Sequence, residues 1–250
     1  MSENALALWA IMATSAQAAP IVVFDLDGTL VDTAPDLIAT LNTILTREGL
    51  PPVPYGAARN MVGGGARHMI ERGLLAEGLM PKGAEVDRMC TAFIAHYADH
   101  IAERSRPFPG VEGALDALGR AGCRLAVCTN KLEWLSLKLL EALRLRDRFA
   151  AICGADTFGV AKPDAAILHG TVARAGGSID QAIMVGDAIT DIAVARAAGI
   201  AVVAVDFGYS PTPVADLAPD RVVSSFARLP EAVFALLGAQ KDGFSQKVKR

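Results

Sequence analysis

From Val111 to Leu237 the chain alternates stretches of helical periodicity with short apolar runs, and this alternation restricts the fold more than any other feature. Helical patterns at Val111 to Ala121, Glu133 to Leu143, Asp164 to Ala175 and Ile189 to Ala198 are followed by apolar runs at Arg124 to Cys128, Ala150 to Cys153, Ala182 to Val185 and Ile200 to Val205. A last run, Arg221 to Val223, precedes a helix at Leu229 to Leu237. Continuously apolar strands are buried on both faces, and strands separated by helices pair in parallel through right-handed crossovers. The expected architecture is α/β, a doubly wound and mostly parallel sheet.

A further strand stands apart from this series. Ile21-Val22-Val23-Phe24 is β-branched and apolar, and it stops abruptly at Asp25-Leu26-Asp27-Gly28. Open α/β sheets bind ligands at the carboxyl ends of their strands, so both carboxylates are expected in the crevice, with Gly28 letting the chain turn away. Two carboxylates one residue apart repel unless a cation offsets them or one is protonated. That points to Mg²⁺ and to a proton-transfer role for one Asp. Between this strand and the alternating region, residues 34–105 read as helices only. Ala34 to Glu48 carries a stripe of Leu37, Ile38, Leu41, Ile44 and Leu45, with Thr33 or Asp32 placed to cap it and Gly49 and Pro51-Pro52 to end it. Ala66 to Leu79 and Glu85 to Ala102 are helical too, and Arg106-Pro107-Phe108-Pro109-Gly110 reads as a linker. The organisation expected is a core of residues 20–33 and 106–238 with a helical insert at 34–105.

Bulk properties exclude several classes. With 250 residues, 52% of them apolar, the chain buries a full core, and a net charge of −3 without a basic stripe argues against a nucleic-acid partner. Cys90, Cys123, Cys128 and Cys153 form no Cys-x-x-Cys pair and read as reduced core residues of a cytoplasmic protein. The apolar stretch Ala5 to Ala13 and Ala16-Gln17-Ala18 imitate a secretory signal, but no Lys or Arg precedes Arg47. Residues 1–19 are taken as an extension, no stretch is long enough to span a bilayer, and the aperiodic residues 239–250 are expected to be a mobile tail. Monomer and homodimer both remain open.

Asp25-x-Asp27-Gly28-Thr29-Leu30-Val31 resembles the first motif of the haloacid dehalogenase-like phosphohydrolases. The resemblance implies a Rossmann-like core with a helical cap, Asp25 as nucleophile and Asp27 as general acid and base. Three later motifs follow in that family's order, each at the end of an expected strand. Thr129-Asn130-Lys131 resembles the second, which implies that Thr129 holds a phosphoryl oxygen with Asn130 supporting it and Lys131 as a further candidate. Lys162 in Ala161-Lys162-Pro163 resembles the third and implies an ammonium on Asp25 and the phosphoryl group. Gly186-Asp187-Ala188-Ile189-Thr190-Asp191 resembles the acidic fourth, with Ala188 where Ser is usual. Mg²⁺ keeps several waters, so Asp25, the Asp27 carbonyl and Asp187 suffice as direct ligands, with Asp191 acting through water or orienting Lys162.

Met61-Val62-Gly63-Gly64-Gly65-Ala66-Arg67 with Glu71-Arg72, together with Cys128-Thr129-Asn130-Lys131 and Phe207-Gly208-Tyr209, looks most like bacterial phosphoglycolate phosphatases. A glycine run opening a helix offers N–H groups to a small anion, and Gly64 and Arg67 are the candidates in the insert. The activity implied is hydrolysis of a small phosphorylated metabolite, 2-phosphoglycolate first among them. Another phosphomonoester, a sugar-phosphate mutase reaction and a non-catalytic scaffold are the alternatives. Dehalogenation is disfavoured because a halide leaving group has no use for the proton of Asp27.

Overall fold

The structure, a computed structural model, describes residues 19–247, so the amino-terminal extension lies outside the described residues except for Ala19. Six strands form one sheet: β1 (Ile21–Phe24), β2 (Arg124–Cys128), β3 (Ala151–Cys153), β4 (Ala182–Gly186), β5 (Ala201–Val205) and β6 (Arg221–Val223). Their order is β3-β2-β1-β4-β5-β6, and every pairing is parallel. All four β1 residues are 0% exposed. Burial of such side chains contributes roughly 1.5–3 kcal/mol each, which holds the strand at the centre.

The two-residue period of the strands divides the core. Val22 and Phe24, with Val127, Val185 and Val203, face one cluster; Ile21 and Val23, with Ala126, Met184 and Val202, face the other. Helices α5 (Val111–Arg120) and α9 (Leu229–Lys247) supply Leu115, Leu118, Val233 and Leu237 to the first. Helices α7 (Ala165–Arg174) and α8 (Ile189–Ala197) supply Ile167, Leu168, Val172 and Ile192 to the second. Register decides what meets at the sheet edge. Phe24 lies opposite Val127 on one side and Val185 on the other, so Asp25, Thr129 and Asp187 leave the sheet together. Strands β2 and β3 are added on one side of β1 and β4 to β6 on the other, the switch point at which α/β sheets bind ligands.

Residues 34–99 carry α1 (Ala34–Arg47), the short α2 (Tyr55–Arg59), which helical periodicity did not predict, α3 (Gly65–Ala76) and α4 (Gly83–Asp99). A Cβ at Gly73 would sit 3.3 Å from Leu45, so that glycine sets the close approach of α3 to α1. The segment expected to be a plain linker is a strand: Val31 pairs with Pro107 and Asp32 with Arg106 in a two-stranded antiparallel ribbon. Beside it, the Asp36 carboxylate accepts from the N–H groups of Arg104 and Ser105 and from the Ser105 hydroxyl at 2.7–3.0 Å. The two connections of the helical block are thereby joined to each other. Helix α6 (Glu133–Ala142) lies between β2 and β3.

Two sequence expectations need correction. Thr33 is the N-cap of α1, but its side chain makes no capping bond, because the hydroxyl donates to Asp27 instead. The polar carboxyl terminus expected to be a mobile tail over residues 239–250 continues α9 as far as Lys247, since absence of an apolar stripe does not remove helix propensity from residues such as Ala239, Gln240 and Lys241. Among the described residues no helix is long and apolar enough to cross a membrane.

Candidate active site

The carboxyl edge of β1, β2 and β4 gathers the predicted residues into two adjoining groups. The first is acidic. Asp25 continues the ladder by donating its N–H to the Val185 carbonyl at 2.9 Å, which fixes where its side chain emerges. Lys162 Nζ lies 2.9 Å from Asp25 Oδ1 and 2.6 Å from Asp191 Oδ1, and all three groups are buried. Asp187 accepts from Thr29 Oγ1 at 2.8 Å and from the Tyr209 N–H at 2.7 Å. Asp191 reaches back from the first turn of α8 to the N–H groups of Asp187 and Ala188 at 3.1 and 3.0 Å. Ala188 has no side-chain oxygen to return a bond, and the Asp191 N–H is met by the Ala188 carbonyl at 3.0 Å. The usual serine is therefore dispensable for pairing that amide.

Asp25, Asp187 and Asp191 each place a carboxylate oxygen within 4.8 Å of the others. One ammonium cannot balance three carboxylates out of water. Burial, together with the neighbouring carboxylates, raises Asp25 to about 6 against the pull of Lys162, and burial with Asp191 and Asp25 raises Asp187 to about 8. Lys162 is held well above the usual lysine range by Asp191 and Asp25, which overcome its own desolvation. The ion pair with Lys162 lacks hydrogen-bond alignment, so Asp25 Oδ1 is buried with no hydrogen-bond partner. An all-oxygen donor set with excess negative charge and an open lone pair fits a hard divalent cation.

The second group is balanced. Asp27 accepts from Lys131 Nζ with both oxygens, at 2.9 and 2.8 Å, and from the Thr33 hydroxyl at 2.8 Å. Gly28 follows Asp27 with φ +86°, and a Cβ there would stand 2.6 Å from Asp187 Oδ2. Thr129 is anchored through its N–H to the Cys153 carbonyl at 3.0 Å, and its hydroxyl oxygen takes the Lys131 N–H at 3.3 Å, leaving the hydroxyl proton to give. Asn130 clasps the Lys162 main chain at both ends, accepting from its N–H at 2.9 Å and donating to its carbonyl at 3.2 Å. The structure thus sets Asn130 to hold the loop that carries Lys162.

Opposite this edge, the glycine run of the helical block crosses close to the core: a Cβ on Gly65 would lie 3.5 Å from the Asn130 carbonyl oxygen. Gly64 is the N-cap of α3, and its neighbour is the His68 ring. Arg67 is not a free charge, because its guanidinium is paired with Asp87 and Glu71 on the exposed surface. A cavity of about 210 Å³ opens between the block and Asp27, with Arg67 among its lining residues.

The family description haloacid dehalogenase-like hydrolase matches residues 22–205. The chain belongs to that family. It is 48% identical over 225 residues to a phosphoglycolate phosphatase of Agrobacterium fabrum, covering 90% of this chain and 96% of the relative. It is 50% identical over 210 residues to one of Mesorhizobium japonicum, covering 84% and 92%. Among solved structures, a predicted phosphoglycolate phosphatase from Haemophilus somnus superposes with a TM-score of 0.80 at 29% identity, over 87% of this chain and 99% of that one.

The motifs of this hydrolase omit several residues that hold the site. Thr29 lies inside the first motif and Thr33 two residues beyond it, where a hydroxyl reads as turn or cap chemistry. Tyr209 joins three parts at once: its N–H holds Asp187, its hydroxyl donates to Asp32 Oδ1 at 2.6 Å and accepts from the Ala34 N–H at 2.9 Å, and Arg59 of α2 stands 4.9 Å over its ring. The only sequence signal for it was the Phe207-Gly208-Tyr209 triplet. Gly208 next to it leaves room for Asp187, since a Cβ would come within 2.2 Å of Asp187 Cβ.

Proposed function

We propose that the protein is a Mg²⁺-dependent phosphomonoester hydrolase that works through an aspartyl-phosphate, with 2-phosphoglycolate as its substrate. The observation that carries this reading is the pairing of an over-acidic cluster around Asp25 with a neighbouring Asp27 whose carboxylate is balanced by Lys131 and Thr33. Such a division suits a nucleophile beside a cation and a proton carrier beside a leaving group.

In the first step an Asp25 oxygen attacks phosphorus while the bond from phosphorus to the ester oxygen breaks, and Asp27, protonated from solvent before the step, gives that oxygen its proton. In the second, water attacks the same phosphorus, Asp27 takes the water proton, and Asp25 leaves as a carboxylate with inorganic phosphate released. Lys162 neutralises Asp25 and a phosphoryl oxygen, and the Thr129 hydroxyl donates to another. Asp25, Asp187 and the Asp27 carbonyl would hold Mg²⁺, with Asp191 keeping Lys162 and the start of α8 in place; bound there, the cation supplies charge neutralisation for the attack of one anion on another. The helical block of residues 34–105 serves as a cap that shields the site from bulk water, and its Gly64 N-terminus borders the cleft. The phosphoglycolate phosphatases to which the chain is 48–50% identical support the choice of substrate. Four unpaired cysteines, with Cys123 and Cys128 pushed up to about 12 by burial, suit the cytoplasm.

The test is phosphate release from 2-phosphoglycolate, glucose phosphates, nucleotides and pyrophosphate, with and without Mg²⁺. Selective release from 2-phosphoglycolate that needs Mg²⁺ is expected. Equal turnover across the panel would overturn the substrate, and no turnover of any member would overturn the reaction.

A further inference from the structure

The cavity reaching Asp27 has a polar end that phosphoryl transfer leaves unassigned. Its walls are apolar, with Leu37, Met69, Phe93 and Leu135 among them, and two polar groups of opposite origin meet there: Lys131 from the core and Tyr97 from α4. The Lys131 ammonium, already on both Asp27 oxygens, stands 4.7 Å over the Tyr97 ring. Tyr97 is 1% exposed, and its hydroxyl has no hydrogen-bond partner. Buried hydroxyls are almost always paired, so an orphan one on a residue that lines a cavity points to an occupant that accepts a hydrogen bond. Burial and the charges of Asp27 and Asp36 hold the Tyr97 proton on, so the group is a donor throughout the working pH range.

We infer that Lys131 and Tyr97 form a carboxylate subsite that selects phosphomonoesters bearing a second anionic group close to the ester oxygen. This rests on the phosphomonoester reading above. Lys131 follows Thr129 by two residues and its N–H touches the Thr129 hydroxyl, so the subsite adjoins the phosphoryl cradle and only a short spacer fits between the two anions. On binding, the ammonium exchanges Asp27 for the substrate carboxylate, and the Tyr97 hydroxyl donates to the second carboxylate oxygen. The exchange frees the Asp27 oxygens to face the leaving oxygen. A monoester without the second anion leaves Lys131 on Asp27 and is turned over slowly. Arg67, the other cation lining this cavity, is already engaged by Asp87 and Glu71.

The experiment compares kcat/KM for 2-phosphoglycolate with that for ethyl phosphate, in which a methyl group replaces the carboxylate, using the full chain with Mg²⁺. The variants are Lys131→Gln and Tyr97→Phe. Wild type is expected to prefer 2-phosphoglycolate, and Lys131→Gln to shrink that preference by about 10–100-fold, the scale of a charge-assisted hydrogen bond. Tyr97→Phe is expected to shrink it by about 3–10-fold with Tm unchanged or raised, because the lost hydroxyl has no partner in the free protein. Equal losses on the two substrates in both variants would overturn the subsite, as would a lowered Tm with an unchanged preference in Tyr97→Phe. Wild type releasing phosphate from neither ester would overturn the proposed reaction instead.

Discussion

The two halves of the site use the same chemical parts in opposite proportions. Around Lys162, two buried carboxylates share one ammonium and a third stands beside them; around Lys131, one carboxylate receives both an ammonium and a hydroxyl. The first arrangement is strained until another positive charge arrives. The second is satisfied and changes only by exchange of partners. The difference follows from where each half is anchored. Asp25 and Asp187 directly follow β1 and β4 and Asp191 stands in the first turn of α8, whereas Asp27 lies in the turn after Leu26, lining a cavity.

The contrast breaks most sharply on the two aspartates of the first motif. Asp25→Asn removes the attacking oxygen and should lower kcat by about 10⁴-fold or more, with no phosphoenzyme trapped in acid quench. Asp27→Asn should lose about 10²–10⁴-fold in steady-state turnover yet accumulate phosphoenzyme. Similar behaviour of the two variants would mean that the halves are not distinct in role.

Charge excess in the first half also has a thermal signature. Asp25 and Asp187 have folded values of about 6 and about 8 against 3.8 for the free carboxyl, so between pH 3.8 and about 8 the native state binds more protons than the unfolded chain. Stability without metal therefore falls as pH rises through that window. In the proposed mechanism Mg²⁺ replaces those protons, so its gain in Tm should be larger at pH 8 than at pH 5. A gain equal at both, or larger at pH 5, would place the cation elsewhere.

Smaller effects sharpen the boundary between the halves. Gly208→Ala forces a Cβ to within 2.2 Å of Asp187 Cβ and should cost about 1–3 kcal/mol in urea unfolding while raising the Mg²⁺ concentration for half activity. The Lys131 side should be unaffected by it, so the 2-phosphoglycolate to ethyl phosphate preference should hold. Thr33→Val removes one bond to Asp27 and no helix cap. A loss within about tenfold in kcat/KM, with metal response unchanged, is expected.

Much of the sheet was legible because its causes are local. β1, β2 and β4 are apolar runs ending in polar residues, and their parallel register then brings Asp25, Thr129 and Asp187 together without further information. The residues that hold those groups were not legible for the opposite reason. Thr29 reaches Asp187 across 158 positions, and Asp36 reaches Ser105 across 69, so neither bond leaves a mark in a local pattern. Arg67 shows the reverse case: an arginine beside a glycine run looks like an anion site, and only the fold reveals that Asp87 is paired with it. Asn130 was read as an aid to Thr129, whereas its amide is matched to the backbone of a loop 32 residues further on.

The Val31–Asp32 and Arg106–Pro107 ribbon has a consequence for how such a chain can be rebuilt. Because Asp32 and Arg106 are cross-strand neighbours, the sheet sees residues 33–105 as the loop of one hairpin, whatever that loop contains. Closure entropy grows only with the logarithm of loop length, and these ends are already together. The helical block can thus be lengthened or exchanged without altering the path of the strands, provided the replacement covers the apolar surface its side chains share with the core cluster. Grafting a different insert at Asp32 and Arg106 would then change which molecules reach Asp25 while leaving the carboxylates themselves in place.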